Sequence, residues 1–184
     1  MSSRLTRLIE SYEALIQVPW QDGLAGAQKV LFAVYDKTEE LELRAHVIEF
    51  EIATQNAGHS WSKIDISNAF PEWMTAHEYR DGYFESPDEL DTCLPDFIDA
   101  LVENISAHLA TQDANAVVAL LGVGCLFGFA KTSEVVGRIA AQVQGRLLVL
   151  FPGEVDQNNY RLLDARDGWN YQAVPITASD KLNL

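Results

Sequence analysis

Positive charge is the scarcest ingredient of this chain. Its 184 residues carry 13 lysines and arginines against 27 aspartates and glutamates, a formal net charge of −14. Such a surface repels phosphate backbones and anionic membranes on average, so direct DNA binding is not expected unless a local basic patch reverses the balance. Long apolar runs are missing as well, since every hydrophobic stretch breaks short of the ~18 residues that a membrane span requires. The opening MSSRLTRLIESYEAL alternates charge with Leu and Ile as a folded helix does. No signal peptide or anchor is therefore expected, and the chain reads as cytoplasmic.

Cysteine is limited to Cys93 and Cys125, each among apolar neighbours, which suits buried thiols in a reducing compartment better than a disulfide frame or a metal site. The histidines His46, His59, His77 and His108 are scattered, without the one-turn spacing of a zinc-binding helix. His77-Glu78 lacks the second histidine of H-E-x-x-H. There is no G-x-S-x-G elbow, and no cation stands near Cys125 in the sequence to favour its thiolate. These gaps lead us to expect no metal, no cofactor and no enzymatic activity. No repeat, low-complexity tract or Gly/Ser linker divides the chain, so residues 1–184 are expected to form one domain.

What is present is an ordinary globular composition, 48% hydrophobic and 22% charged. Leu5, Leu8, Ile9, Tyr12, Leu15 and Ile16 recur at helical spacing, and Pro19 ends that pattern. KVLFAVYD reads as a buried strand. Asp36 and Glu39 suit a capping box for a helix reaching about Gly58, and WSKIDI makes a second strand. A mainly helical insertion follows at about 67–112. Within it Ser86, Pro87 and Glu89 signal a helix start, Pro95 divides the run, and Phe97, Ile98, Leu101, Val102, Ile105 and Leu109 form a stripe. AVVALLGVG and RLLVLF are strands flanking a helix at about 133–144, and Asp167-Gly168 marks a tight hairpin turn near the end. Strands separated by helices predict an α/β fold of three layers. A mostly parallel central sheet carries helices on both faces and a C-terminal β-hairpin at one edge, resembling P-loop or Rossmann folds without their functional nucleotide loop.

The segment ALLGVGCLFGFAKTSEVV has the outline of a phosphate loop but not its content. A Walker loop needs G-x-x-x-x-G-K-[ST], and here the fifth residue after Gly122 is Phe127 and the fifth after Gly124 is Phe129, while Lys131-Thr132 follows Phe-Ala. Gly122, Gly124 and Gly128 give a loosened dinucleotide pattern, yet RLLVLFPG offers no acidic residue before Glu154 to hold a ribose. The loop therefore either turns and packs the chain, with Leu126, Phe127 and Phe129 filling apolar space, or presents those rings and Lys131 to another protein. A nucleotide site at 122–132 is the alternative. A second polar cluster, Asn158 to Asp167, includes Arg161, Arg166 and Asp167. It fits hairpin turns with surface pairs, or a patch for a partner or an anion.

Several long stretches resemble one family. These are VPWQDGLAGAQKVLFAVYD, GHSW with DISNAF, AHEYRDGYFE, LLGVGCLFGFAKTSEVV with RLLVLFPG, and NNYRLLDARDGWNYQAVPI, spanning nearly the whole chain to about Ile176. The sequence resembles the BrxB family, small components of bacterial BREX phage-defence systems. The resemblance implies a non-enzymatic subunit of a defence complex, acting beside a large AAA-type ATPase, a DNA methyltransferase and the phosphatase-like PglZ. The role it implies is an adaptor joining PglZ to other core components. The family supplies no catalytic residues to carry over.

Overall fold

The first helix, α1 (Ser3–Ile16), starts where the Ser2 side chain accepts the Leu5 amide, and its buried stripe is Leu5, Leu8, Ile9, Tyr12 and Ile16. In the computed structural model, residues 1–21, 23–156, 159–163, 165–166 and 173–178 are described. Strand β1 (Val30–Tyr35) is buried along its whole length. Asp36 then caps the next turn by accepting the Thr38 amide at 2.9 Å. Glu39 does not complete the expected box, because its carboxylate accepts the Ser2 hydroxyl instead. The expected single helix to Gly58 is divided at His46 into α2 (Glu40–Ala45) and α3 (Val47–Asn56), and Gly58 closes it with φ of +86°.

Strand β2 (Ser60–Asp65) leads into α4 (Ala69–Ala76), α5 (Arg80–Glu85) and α6 (Leu94–Ala110), with Pro95 in the first turn of α6. The Ser86 side chain accepts no capping bond; Pro87 opens a 3₁₀ turn that ends at Thr92. Strand β3 (Ala116–Leu121), α7 (Thr132–Ile139) and the long strand β4 (Arg146–Asp156) follow. The last elements are β5 (Asn159–Leu162), β6 (Ala165–Arg166) and β7 (Val174–Ile176).

The strands run in the order β2-β3-β4-β1-β7, parallel throughout that path. Side chains alternate across the sheet, as a pleat requires. Val30, Phe32 and Val34 join a core with α6 and α7, whereas Leu31, Ala33 and Tyr35 join a second core with α1 and α3. Both faces are covered, so β1, β3 and the first part of β4 read as unbroken apolar runs. The C-terminal hairpin is antiparallel to the far end of β4, with Gly153 opposite Leu162 and Asp156 opposite Asn159, while β7 takes the sheet edge beside β1. The chain reverses between Leu162 and Ala165; the Asp167-Gly168 turn lies outside the described residues.

Candidate functional site

In open parallel sheets the carboxyl ends of the strands form the rim where ligands bind. Here that rim holds a crevice of about 300 Å³, lined by Lys37, Glu40, Arg44, Ser67, Gly122, Gly124, Cys125, Pro152 and Leu163. The residues follow β1, β2, β3 and β5, with Pro152 within β4, so the topology gathers them. A wider hollow of about 510 Å³ lies on the same rim, with Arg4, Arg7 and Glu154 in its lining.

One guanidinium organises the crevice. Arg44 Nε donates to Glu40 at 2.7 Å, Nη1 to Asp65 at 2.8 Å and Nη2 to the Ser67 hydroxyl at 2.5 Å. Asp65 also accepts the Ser67 amide at 3.0 Å and the Ser67 hydroxyl at 2.6 Å, and Tyr35 donates to Glu40. Burial raises the Asp65 carboxyl, but the bonds from Ser67 and Arg44 outweigh it and hold the pKa below the ordinary value. The arrangement neutralises its own cation: Arg44 is spent on two carboxylates, and Lys37 also has a partner within the chain. A phosphate entering here would meet Glu40 and Asp65.

The glycine loop closes the opposite wall. Gly122 takes φ of +81°, and a Cβ there would lie 2.4 Å from Ser67 Oγ and 2.7 Å from Ser67 N. Only glycine fits this conformation and this approach. Cys125 donates its thiol to the Ile66 carbonyl at 3.1 Å, and burial, followed by the nearby Asp65 charge, pushes its pKa up to about 11. That thiol is a poor nucleophile at neutral pH. Leu163, at the tip of the hairpin, is held at φ of 53°, where a side chain costs about 1–2 kcal/mol.

The residues singled out from the sequence separate into different roles. Leu126 is fully buried in the core, so it supports the loop and offers nothing to a partner. Phe129 is half-buried, stacked on Phe70 at 4.4 Å and edge-on to Phe97 at 6.5 Å. Phe127 is 45% exposed, and Lys131 is exposed just before α7. Thr132, the first residue of α7, is buried with its hydroxyl unpartnered. Arg161 is exposed on β5, its register position between Glu154 on β4 and Arg166 on β6. Asp167 lies outside the described residues. The loop and the hairpin do meet at the crevice, through Gly122, Gly124, Cys125 and Leu163.

The sequence pointed to neither Arg44 nor the aromatics that continue from the loop. Phe70 and Trp73 lie 6.3 Å apart, Trp73 and His77 4.9 Å, and His77 and Tyr83 5.4 Å. With Phe97 at 5.6 Å from Trp73, these rings form one row from the core to α5. The only sequence signal was the aromatic and acidic run AHEYRDGYFE. Among the described residues no group of His, Cys, Asp and Glu could hold a metal ion, and no helix is long and apolar enough to cross a membrane.

A family model described as BREX protein BrxB matches residues 64–176, more than half of the chain. The comparisons with curated proteins and with solved structures give no match.

Proposed function

The chain belongs to the BrxB family of BREX proteins, and from that premise we propose that it is a non-enzymatic adaptor of a BREX anti-phage complex, linking PglZ to other core components such as the AAA-type ATPase. The observation that carries the non-enzymatic part is the crevice at the strand ends. Its guanidinium is consumed by Glu40 and Asp65, and its half-buried thiol is held protonated. Chemistry in such a crevice requires an uncommitted charge or nucleophile, and here Arg44 and Cys125 are engaged in holding its walls together. What the same region offers outward is aromatic surface and carboxylate, which suits a protein partner better than a phosphate ester.

The adaptor reading is tested by immobilising the purified chain and passing PglZ and the ATPase over it. Saturable binding to at least one of them is expected. Folded chain that captures neither removes the adaptor role.

One arrangement favours a second reading, a nucleotide site at 122–132. Strand β3, a glycine turn and α7 follow in order, and the Thr132 hydroxyl at the start of α7 has no partner. Titration calorimetry with ATP, GTP and NAD separates the two. No heat of binding is expected, whereas a micromolar Kd, about −8 kcal/mol, would replace the adaptor with a nucleotide-dependent function.

A further inference from the structure

Neither α5 nor the 3₁₀ turn Pro87–Thr92 contains a buried residue. A helix of α5's length cannot hold itself, because isolated helices shorter than ~12–15 residues are marginal in water. Such an element normally survives by docking an apolar face. Here the large apolar side chains point the other way: Phe84 is 72% exposed and Tyr79 66%. Tyr83 is the tether, its ring against His77, which leads through Trp73 to Phe70 and the buried Phe97. Tyr79 and Tyr83, both against His77, are thus the outer end of an aromatic row rooted in the core, and Phe84 follows Tyr83 on the same short helix.

The charge around them is mostly negative. Glu72, Glu78, Asp81, Glu85, Asp88 and Glu89 are all exposed. Arg80 is the one lysine or arginine between Lys63 and Lys131. It is exposed on the same face, but its donors are engaged within the chain, at the Thr75 carbonyl at 3.0 Å and at Asp81 at 3.3 Å.

We propose that Tyr79, Tyr83 and Phe84, rimmed by these carboxylates, form a docking surface for a basic, apolar segment of a protein partner. Arginine and lysine suit it on both counts, since their methylene stems pack on rings, their charged ends are attracted to ring faces, and the carboxylates complement them. A second copy of the chain does not suit it, because a two-fold contact would set the acidic rim against itself. Nucleic acid and anionic lipid are repelled by the same charge. The proposal rests on the adaptor reading and assigns it a face.

Binding of PglZ and of the ATPase to the immobilised chain tests it with three variants. Y79S/F84S removes exposed rings that no core depends on. The substitutions Glu78→Gln, Asp81→Asn and Glu85→Gln, made together, keep the rings and remove the charge. L41S/I52S changes a different exposed face, on α2 and α3, and serves as control. The ring variant is expected to bind at least ~10-fold more weakly, the amide variant to associate more slowly, and the control to match wild type. If wild type binds and both the ring and amide variants bind as well as it does, this face is wrong while the adaptor stands. If wild type binds neither protein, the adaptor reading falls and this proposal with it. Should the ring variant lose its fold by melting, the amide variant decides alone.

Discussion

Asp65 shows how one side chain can commit the charge of a rim to holding that rim together. It accepts from Arg44 and twice from Ser67, and those bonds lower its pKa in the folded chain. Because the folded value lies below the unfolded one, its stabilisation is complete above the ordinary carboxylate range of about pH 4 and is lost as pH falls through the lowered value. Asp36, lowered by its bonds to Thr38, acts in the same direction. Replacing Asp65 with Asn should cost about 1–2 kcal/mol at neutral pH, since a charge-assisted pair is lost at a partly exposed site. It should also flatten the fall in stability on acidification. Urea unfolding of both proteins from about pH 7 to about pH 3 checks this, and parallel curves would mean that Asp65 is not what anchors Arg44. None of this was legible in the sequence. Glu40 and Arg44 belong to one segment and Asp65 and Ser67 to another, which only the tertiary fold brings together, and the acidic run that contains Glu40 and Arg44 reads simply as a solvated helix face.

The glycine loop gives two comparisons at the scale of the element. Gly122 and Gly128 share nearly the same backbone, φ +81° and +84°, but a Cβ at Gly122 strikes Ser67 and Asp65 while one at Gly128 meets nothing within 4 Å. Gly128→Ala should cost about 1–2 kcal/mol, the conformational term alone. Gly122→Ala adds a steric clash and should cost about 2–4 kcal/mol. Equal destabilisation of the two in denaturant would show that the crevice wall relaxes freely. The phenylalanines divide in the same manner. Phe129 stacks on Phe70, so Phe129→Ser should lower stability by about 2 kcal/mol. Phe127 is nearly half exposed, so Phe127→Ser should cost less, within about 1 kcal/mol, and any loss of phage resistance in that folded variant would come from a lost contact. The elements themselves were largely readable. β1, β3 and β4 are buried on both faces and therefore continuous in hydrophobicity, and Gly58 closes its helix in the left-handed region, as glycine there suggests. The break at His46 and the reversal at Leu163 were not readable, because neither carries a glycine or proline. Nor was the pairing of β7 with β1, which joins segments far apart in the chain and leaves no local mark.

Over the whole molecule, the proposed docking divides into an encounter set by charge and a retention set by aromatic surface. A net −14 spread over 184 residues gives a long-range field that reaches a partner before any ring does, so it should act on the rate of association. The rings at Tyr79 and Phe84 make contact only after encounter, and burying them should act on the rate of dissociation. Salt separates the two terms, since raising it from about 50 mM to about 500 mM shortens the screening length to a few ångströms and leaves apolar contact nearly unchanged. Association of the chain with its basic partner should therefore slow by roughly tenfold across that range, with dissociation changing much less. The pattern in the variants should be complementary: neutralising Glu78, Asp81 and Glu85 lowers the salt sensitivity, and Y79S/F84S speeds dissociation while keeping that sensitivity. Rates measured by surface plasmon resonance at several salt concentrations decide it. Association that ignores salt would mean that the carboxylates around α5 do not face the partner, and that the acidity of this chain serves solubility rather than recognition.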